Sequence, residues 1–129
     1  MAGLDLESQN FLDATKKFLS ELVSSIEENG GIILDSSNYI NDSTADIILR
    51  VINVKRSSMS TINGAEQYVL ELPNGHVGFV VGSDYLYTLP NIHRGLVRDV
   101  KIDDVGFDNS IYGDGLLTTI RLKFRKNEY

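Results

Sequence analysis

With 129 residues, no cysteine and a net charge of −6, the chain is expected to form one domain, residues 1–129, with a core of its own. It uses no disulfide, no thiolate-bound zinc and no cysteine nucleophile. No apolar run approaches the ~20 residues that span a bilayer as a helix, and the first twenty residues lack the basic start and apolar run of a secretory signal. The negative charge disfavours nucleic-acid binding, which needs a positive surface to displace counterions.

An amphipathic helix comes first. Phe11, Leu12, Thr15, Phe18, Leu19, Leu22, Val23 and Ile26 recur at steps of three and four, which puts them on one helical face. The expected span is about 6–28, with Asp5 or Ser8 as cap and Gly30 ending the helix in a left-handed conformation. Glu27 and Glu28 stand at the end where the helix dipole disfavours anions. They are either solvated or held ready for a cationic partner. Residues 1–46 hold nine acidic and two basic residues, a net of −7, and residues 47–129 hold nine acidic and ten basic, a net of +1. The acidic surplus therefore sits around this helix, where it serves solubility or meets a basic partner.

From residue 31 to about 126 the period is two. Residues 31–34 read as a short strand and residues 35–44, rich in Ser, Asn and Asp, as a loop. Residues 46–56 carry Ile47, Ile48, Leu49, Val51 and Ile52, apolar on both faces, which suggests a central strand covered on both sides. Residues 57–64 read as a second loop. Pro73-Asn74-Gly75 between two apolar runs predicts a hairpin, with Tyr68, Leu70 and Leu72 facing the same way as Val77, Phe79 and Val81. Pro90 bars a central strand around it. The last strand alternates most clearly. Leu116, Thr118, Ile120, Leu122 and Phe124 form a core face, and Leu117, Thr119, Arg121, Lys123 and Arg125 the other. The expected fold is α+β: an N-terminal helix packed on a curved, mostly antiparallel sheet, or a partly closed barrel, of five to seven strands.

Residues 103–117, DDVGFDNSIYGDGLL, hold four aspartates and three glycines. An EF-hand loop needs oxygen ligands at positions one, three and five, glycine at six and an acid at twelve. Counting from Asp108 puts Tyr112 fifth, Gly113 sixth and Thr119 twelfth, so the pattern fails. A calcium site of another kind on Asp103, Asp104, Asp108 and Asp114 stays open beside the preferred reading, a connecting loop between strands that touches a partner. Gly113-Asp114-Gly115 is not a phosphate cradle, because a strand follows where a helix is needed.

Two histidines cannot build a three-histidine metal site. His76 follows the tight turn and is expected to be exposed. His93 and Arg94, with Asp84, Tyr85 and Tyr87 close in sequence, form the one cluster with reactive side chains, read either as an exposed loop or as the lining of a cleft. Tyr85 and Tyr87 share a strand face, and half-exposed tyrosines are frequent interface anchors. Arg121, Lys123 and Arg125, followed by Lys126, form a basic ladder that suits an anionic partner or a charged, aggregation-resistant face. An acidic helix opposite a basic strand would let copies pack head to tail.

No motif here carries catalytic roles, and no cofactor or metal is expected. The preferred function is a non-enzymatic structural or adaptor subunit of a larger assembly, such as a phage tail or neck component of a virion. Its partners would be copies of itself or other subunits, with no nucleic acid and no membrane. The second reading is a small acidic regulator that binds one host protein. The third is a ligand-binding domain or enzyme with a site near His93. The expected location is the cytoplasm or a virion. The interface candidates are Tyr85, Tyr87, His93, Arg94, Arg121, Lys123, Arg125, Glu27 and Glu28.

Overall fold

The computed structural model describes residues 10–92 and 94–128. Helix α1 runs Phe11–Glu28. Asn10, in extended conformation, caps it by accepting the Asp13 N–H at 2.8 Å. The helix thus starts later than position 6, and Asp5 and Ser8 lie outside the described residues. At the other end the Gly30 N–H donates to Glu27 O (3.1 Å) and the Gly31 N–H to Ile26 O (2.9 Å), with Gly30 at φ 94°. This is the Schellman closure, in which a left-handed residue satisfies the last carbonyls.

Among the described residues nine antiparallel strands follow: β1 (Ile32–Ile40), β2 (Thr44–Val54), β3 (Arg56–Ile62), β4 (Ala65–Leu72), β5 (Gly75–Val81), β6 (Tyr85–Leu89), β7 (Val97–Arg98), β8 (Val100–Tyr112) and β9 (Gly115–Lys126). They form two sheets, β1-β2-β9-β8 and β3-β4-β5-β6-β7. The chain changes sheet at two corners, and each carries a non-glycine residue at positive φ: Asn53 (69°) before β3 and Asp99 (59°) before β8. Asn and Asp tolerate that conformation because their short side chains bond locally.

The expected helix on an open, antiparallel β-structure is present, but nine strands in two sheets replace the five to seven strands expected. Residues 35–40, read as loop, complete β1. Residues 57–62 form β3, and residues 103–112 most of β8. Backbone pairing overrides loop-like composition in all three. The Pro73–Asn74 turn is as expected, with Leu72 opposite Gly75 and Tyr68 opposite Phe79. β2 differs from expectation. It is an interior strand, but only its inner face is covered. Ile47, Leu49 and Val51 are buried, whereas Ile48 is 38% exposed.

The core lies between the sheets and under α1, which packs against β1, β5, β6 and β7. Phe18 meets Phe79 edge-on (6.4 Å), and Phe79 also contacts Tyr68 (5.0 Å) and Phe107 (5.8 Å). Phe11 meets Phe124 at 5.8 Å. Each large apolar side chain buried contributes about 1.5–3 kcal/mol. Phe11, Phe18, Leu22 and Ile26 together thus contribute roughly 6–12 kcal/mol as an upper figure, comparable with a whole domain's stability. The helix is therefore part of the fold and not an appendage. Among the described residues no helix is long and apolar enough to cross a membrane.

Candidate functional site

The basic ladder is held by its own neighbours. β8 and β9 form a hairpin around Gly113 and Asp114, with Tyr112 opposite Gly115. Gly113 takes φ 62° at the first turn position, a conformation that glycine adopts without strain. This register sets Asp108 opposite Thr119, Gly106 opposite Arg121 and Asp104 opposite Lys123. Gly106 has no side chain, and Arg121 lies across it. Its guanidinium bonds Asp104 on one side and Asp108 on the other, the latter at 2.7 Å. The bonds to Asp104 and then Asp108 raise the Arg121 pKa above its ordinary value. Arg125 reaches Asp103 at 3.2 Å, and Arg50 on β2 reaches Asp35 on β1 at 2.8 Å. The acids first read as a loop are thus the counter-ions of the ladder. Lys123 forms no ion pair among the described residues. The outer face of this sheet alternates in sign and is not a basic patch.

The calcium reading loses its ligands by the same geometry. Asp104 and Asp108 bond Arg121, Asp103 bonds Arg125, and Asp114 stands at the hairpin tip. Among the described residues no group of three or more His, Asp or Glu is placed to hold a metal ion.

The cluster near His93 does not gather. His93 lies outside the described residues. Arg94 turns toward α1 and pairs with Glu21 at 3.4 Å, while its carbonyl accepts the buried Thr88 hydroxyl at 2.9 Å. Gly95 presses on the helix: a Cβ there would lie 2.7 Å from Phe18 Cα. This loop therefore clamps the helix. Tyr85 and Tyr87 sit on the other side of β6, because Leu86 and Thr88 between them point into the core. The two rings stack at 5.6 Å. Arg94 and Tyr87 thus face opposite sides of one sheet and share no cleft. Glu27 and Glu28 are exposed at the end of α1 and form no ion pair among the described residues.

Polar groups also join the two sheets. Asn109 on β8 accepts from Ser57 on β3 (2.9 Å) and from the fully buried Thr118 (2.7 Å). Tyr68 donates to Glu66 at 2.8 Å. Burial, then that bond, pushes its pKa from 10.0 up to about 12.

The surface that the sequence did not single out is β1. Every residue of the strand is exposed or half-exposed, with Ile32, Leu34 and Tyr39 at 51%, 40% and 64%. Between α1 and β1 runs a groove of about 520 Å³, flanked by Leu19 and Val23 from the helix and Tyr39 and Ile40 from the strand. A second groove of about 540 Å³ lies between Ile32, Ile52 and Tyr112. The signal was available in residues 41–43. Asn41 Oδ1 accepts the N–H groups of Ser43 (2.9 Å) and Thr44 (2.8 Å), an Asx turn. That turn makes residues 32–40 the hairpin partner of β2.

Comparison with family models, curated proteins and solved structures returns no match for the chain.

Proposed function

We propose that this protein is a non-enzymatic subunit of a protein assembly, one that associates through sheet edges and not through a catalytic cleft. The observation that carries the reading is the β1 edge, nine residues long and unpaired among the described residues, with Ile32, Leu34 and Tyr39 exposed along it. Unpaired backbone N–H and C=O groups in such a strand are a template for another chain. The candidates of reactive type are engaged elsewhere: Arg94 clamps the helix, and Arg121 and Arg125 hold carboxylates.

Light scattering on a sizing column, across concentrations and salt, tests this. The expected result is a mass above the 14.3 kDa monomer that climbs with concentration. It should persist at about 1 M salt, where exposed charges are screened beyond about 3 Å, because apolar and backbone contacts drive the association. A mass that collapses with salt would instead favour packing through the acidic helix. A fixed monomer under all conditions would refute association between copies.

A further inference from the structure

We infer that Asn63, at the tip of the β3–β4 hairpin, is a site of spontaneous deamidation, and that the fold directs this reaction to it and away from the other two Asn-Gly pairs. The inference is independent of the assembly reading.

The chain holds three Asn-Gly pairs: Asn29-Gly30, Asn63-Gly64 and Asn74-Gly75. Such pairs are prone to deamidate because glycine has no side chain to hinder its own amide nitrogen or to restrict its backbone. That nitrogen, once it has given its proton to solvent hydroxide, attacks the asparagine Cγ. A C–N bond forms, and the side-chain nitrogen leaves as ammonia after taking a proton from water. The cyclic succinimide then takes up water at either of its carbonyls. The products are aspartate, or isoaspartate in which the backbone runs through the former side chain. One water enters, one ammonia leaves, and nothing is oxidised or reduced. The reaction needs a side-chain amide that can move, a glycine N–H that is not held, and a backbone that can swing one onto the other.

The three pairs share this chemistry but not their settings. Asn29 Nδ2 donates to Ser25 O at 2.8 Å, and Oδ1 lies against Gly75, where any Cβ would collide with it. The nucleophile beside it is also engaged, because the Gly30 N–H donates to Glu27 O at 3.1 Å. Asn74 is tied to the same place. Its N–H donates to Asn29 O at 2.9 Å, and Gly75 sits in the β4–β5 pairing opposite Leu72. Opening either pair would therefore break the junction between the end of α1 and the β4–β5 hairpin.

Asn63-Gly64 has none of these restraints. Strand pairing ends with Ile62 opposite Ala65, so the pair is the whole turn, at φ 52° and 81°. Positive φ at both positions is the type I′ turn that Asn-Gly favours. Both residues are exposed, and the Asn63 amide has no hydrogen-bond partner among the described residues. Nothing lies within 4 Å of the place where a Gly64 Cβ would stand. β3 is an edge strand of exposed and half-exposed residues, so the turn can open without displacing a core side chain. Openings of this kind are among the least costly in a fold. The product adds one carboxylate to a chain of net charge −6, and isoaspartate would lengthen the backbone of the turn that sets the β3–β4 register.

The test incubates the full chain at mildly alkaline pH, folded and, in parallel, in denaturant. Proteolytic peptides are then read by mass spectrometry, in which exchange of NH for O adds about one dalton, and chromatography separates aspartate from isoaspartate. In the folded chain the Asn63 peptide is expected to convert about tenfold faster, or more, than the Asn29 and Asn74 peptides. In denaturant most of that lead should vanish. Asn63→Asp marks the position of the aspartate product and should abolish conversion of that peptide. Equal conversion of the three sites in the folded chain, or a lead of Asn63 that survives in denaturant, would overturn the role of the fold. An Asn63 peptide that stays unchanged in the folded chain would overturn the site.

Discussion

Thr15 is fully buried on the core face of α1, and its hydroxyl has no hydrogen-bond partner among the described residues. A buried polar group without a partner costs about 1–3 kcal/mol. Thr15→Val replaces the hydroxyl by a methyl of nearly the same volume, and the helix propensities of Thr and Val are close. The change removes the desolvation cost and adds one buried methyl, about 0.8 kcal/mol. The expected gain is about 1–2 kcal/mol after allowing for imperfect packing. At roughly 4 °C per kcal/mol for a chain of this size, Tm should rise by about 4–8 °C. Thermal unfolding followed by circular dichroism reads this directly. Thr15→Ala is the control. It also removes the hydroxyl but leaves a hole, so its Tm should fall below that of Thr15→Val. An unchanged or lowered Tm for Thr15→Val would refute the reasoning, because it would mean that the hydroxyl is satisfied, for instance by a carbonyl one turn earlier.

Gly95 at φ 64° has the Phe18 backbone 2.7 Å from its absent Cβ. Gly95→Ala should lose about 2–4 kcal/mol, from positive-φ strain and a clash that only backbone movement relieves. A denaturant midpoint equal to wild type would show that the loop does not clamp the helix. Tyr68 supplies a pH signature. Its folded pKa, about 12, stands above the unfolded value of 10.0, so the neutral form is favoured in the fold. That stability is fully present below pH 10 and is lost between pH 10 and 12 as the unfolded chain ionises first. Tyrosinate absorbance should show one tyrosine titrating about two pH units late, and Tyr68→Phe should remove that component; a Tyr68→Phe titration that superimposes on wild type would contradict the assignment.

The helix, the Pro73–Asn74 hairpin and the two faces of β9 were legible because each is decided by local spacing. Phe18, Leu22 and Ile26 repeat at helical steps, and Thr118 takes its place in the alternation of Leu116, Ile120, Leu122 and Phe124 without breaking it. What local spacing could not supply was partnership. Residues 35–40 and 57–62 are rich in serine and have a weak intrinsic preference for strand, and β2 and β4 recruit them by backbone pairing. The one-sided cover of β2 was likewise illegible, because Ile48 and Ile52 read as core, whereas among the described residues Ile48 is exposed and Ile52 only half-buried.

Charge shows the same limit more sharply. Counted along the chain, Asp103, Asp104 and Asp108 look like an acidic loop, and Arg121, Lys123 and Arg125 like a basic surface. A two-residue turn at Gly113–Asp114 converts both into one neutralised face, because it sets Gly106 against Arg121 and lets the guanidinium reach an aspartate on each side. The ion pairs are exposed, and such pairs contribute little to stability, about 0–1 kcal/mol each. Their larger consequence is on association. With Arg121 and Arg125 engaged within the chain, the ladder is a weak attractor for the acidic helix of another copy.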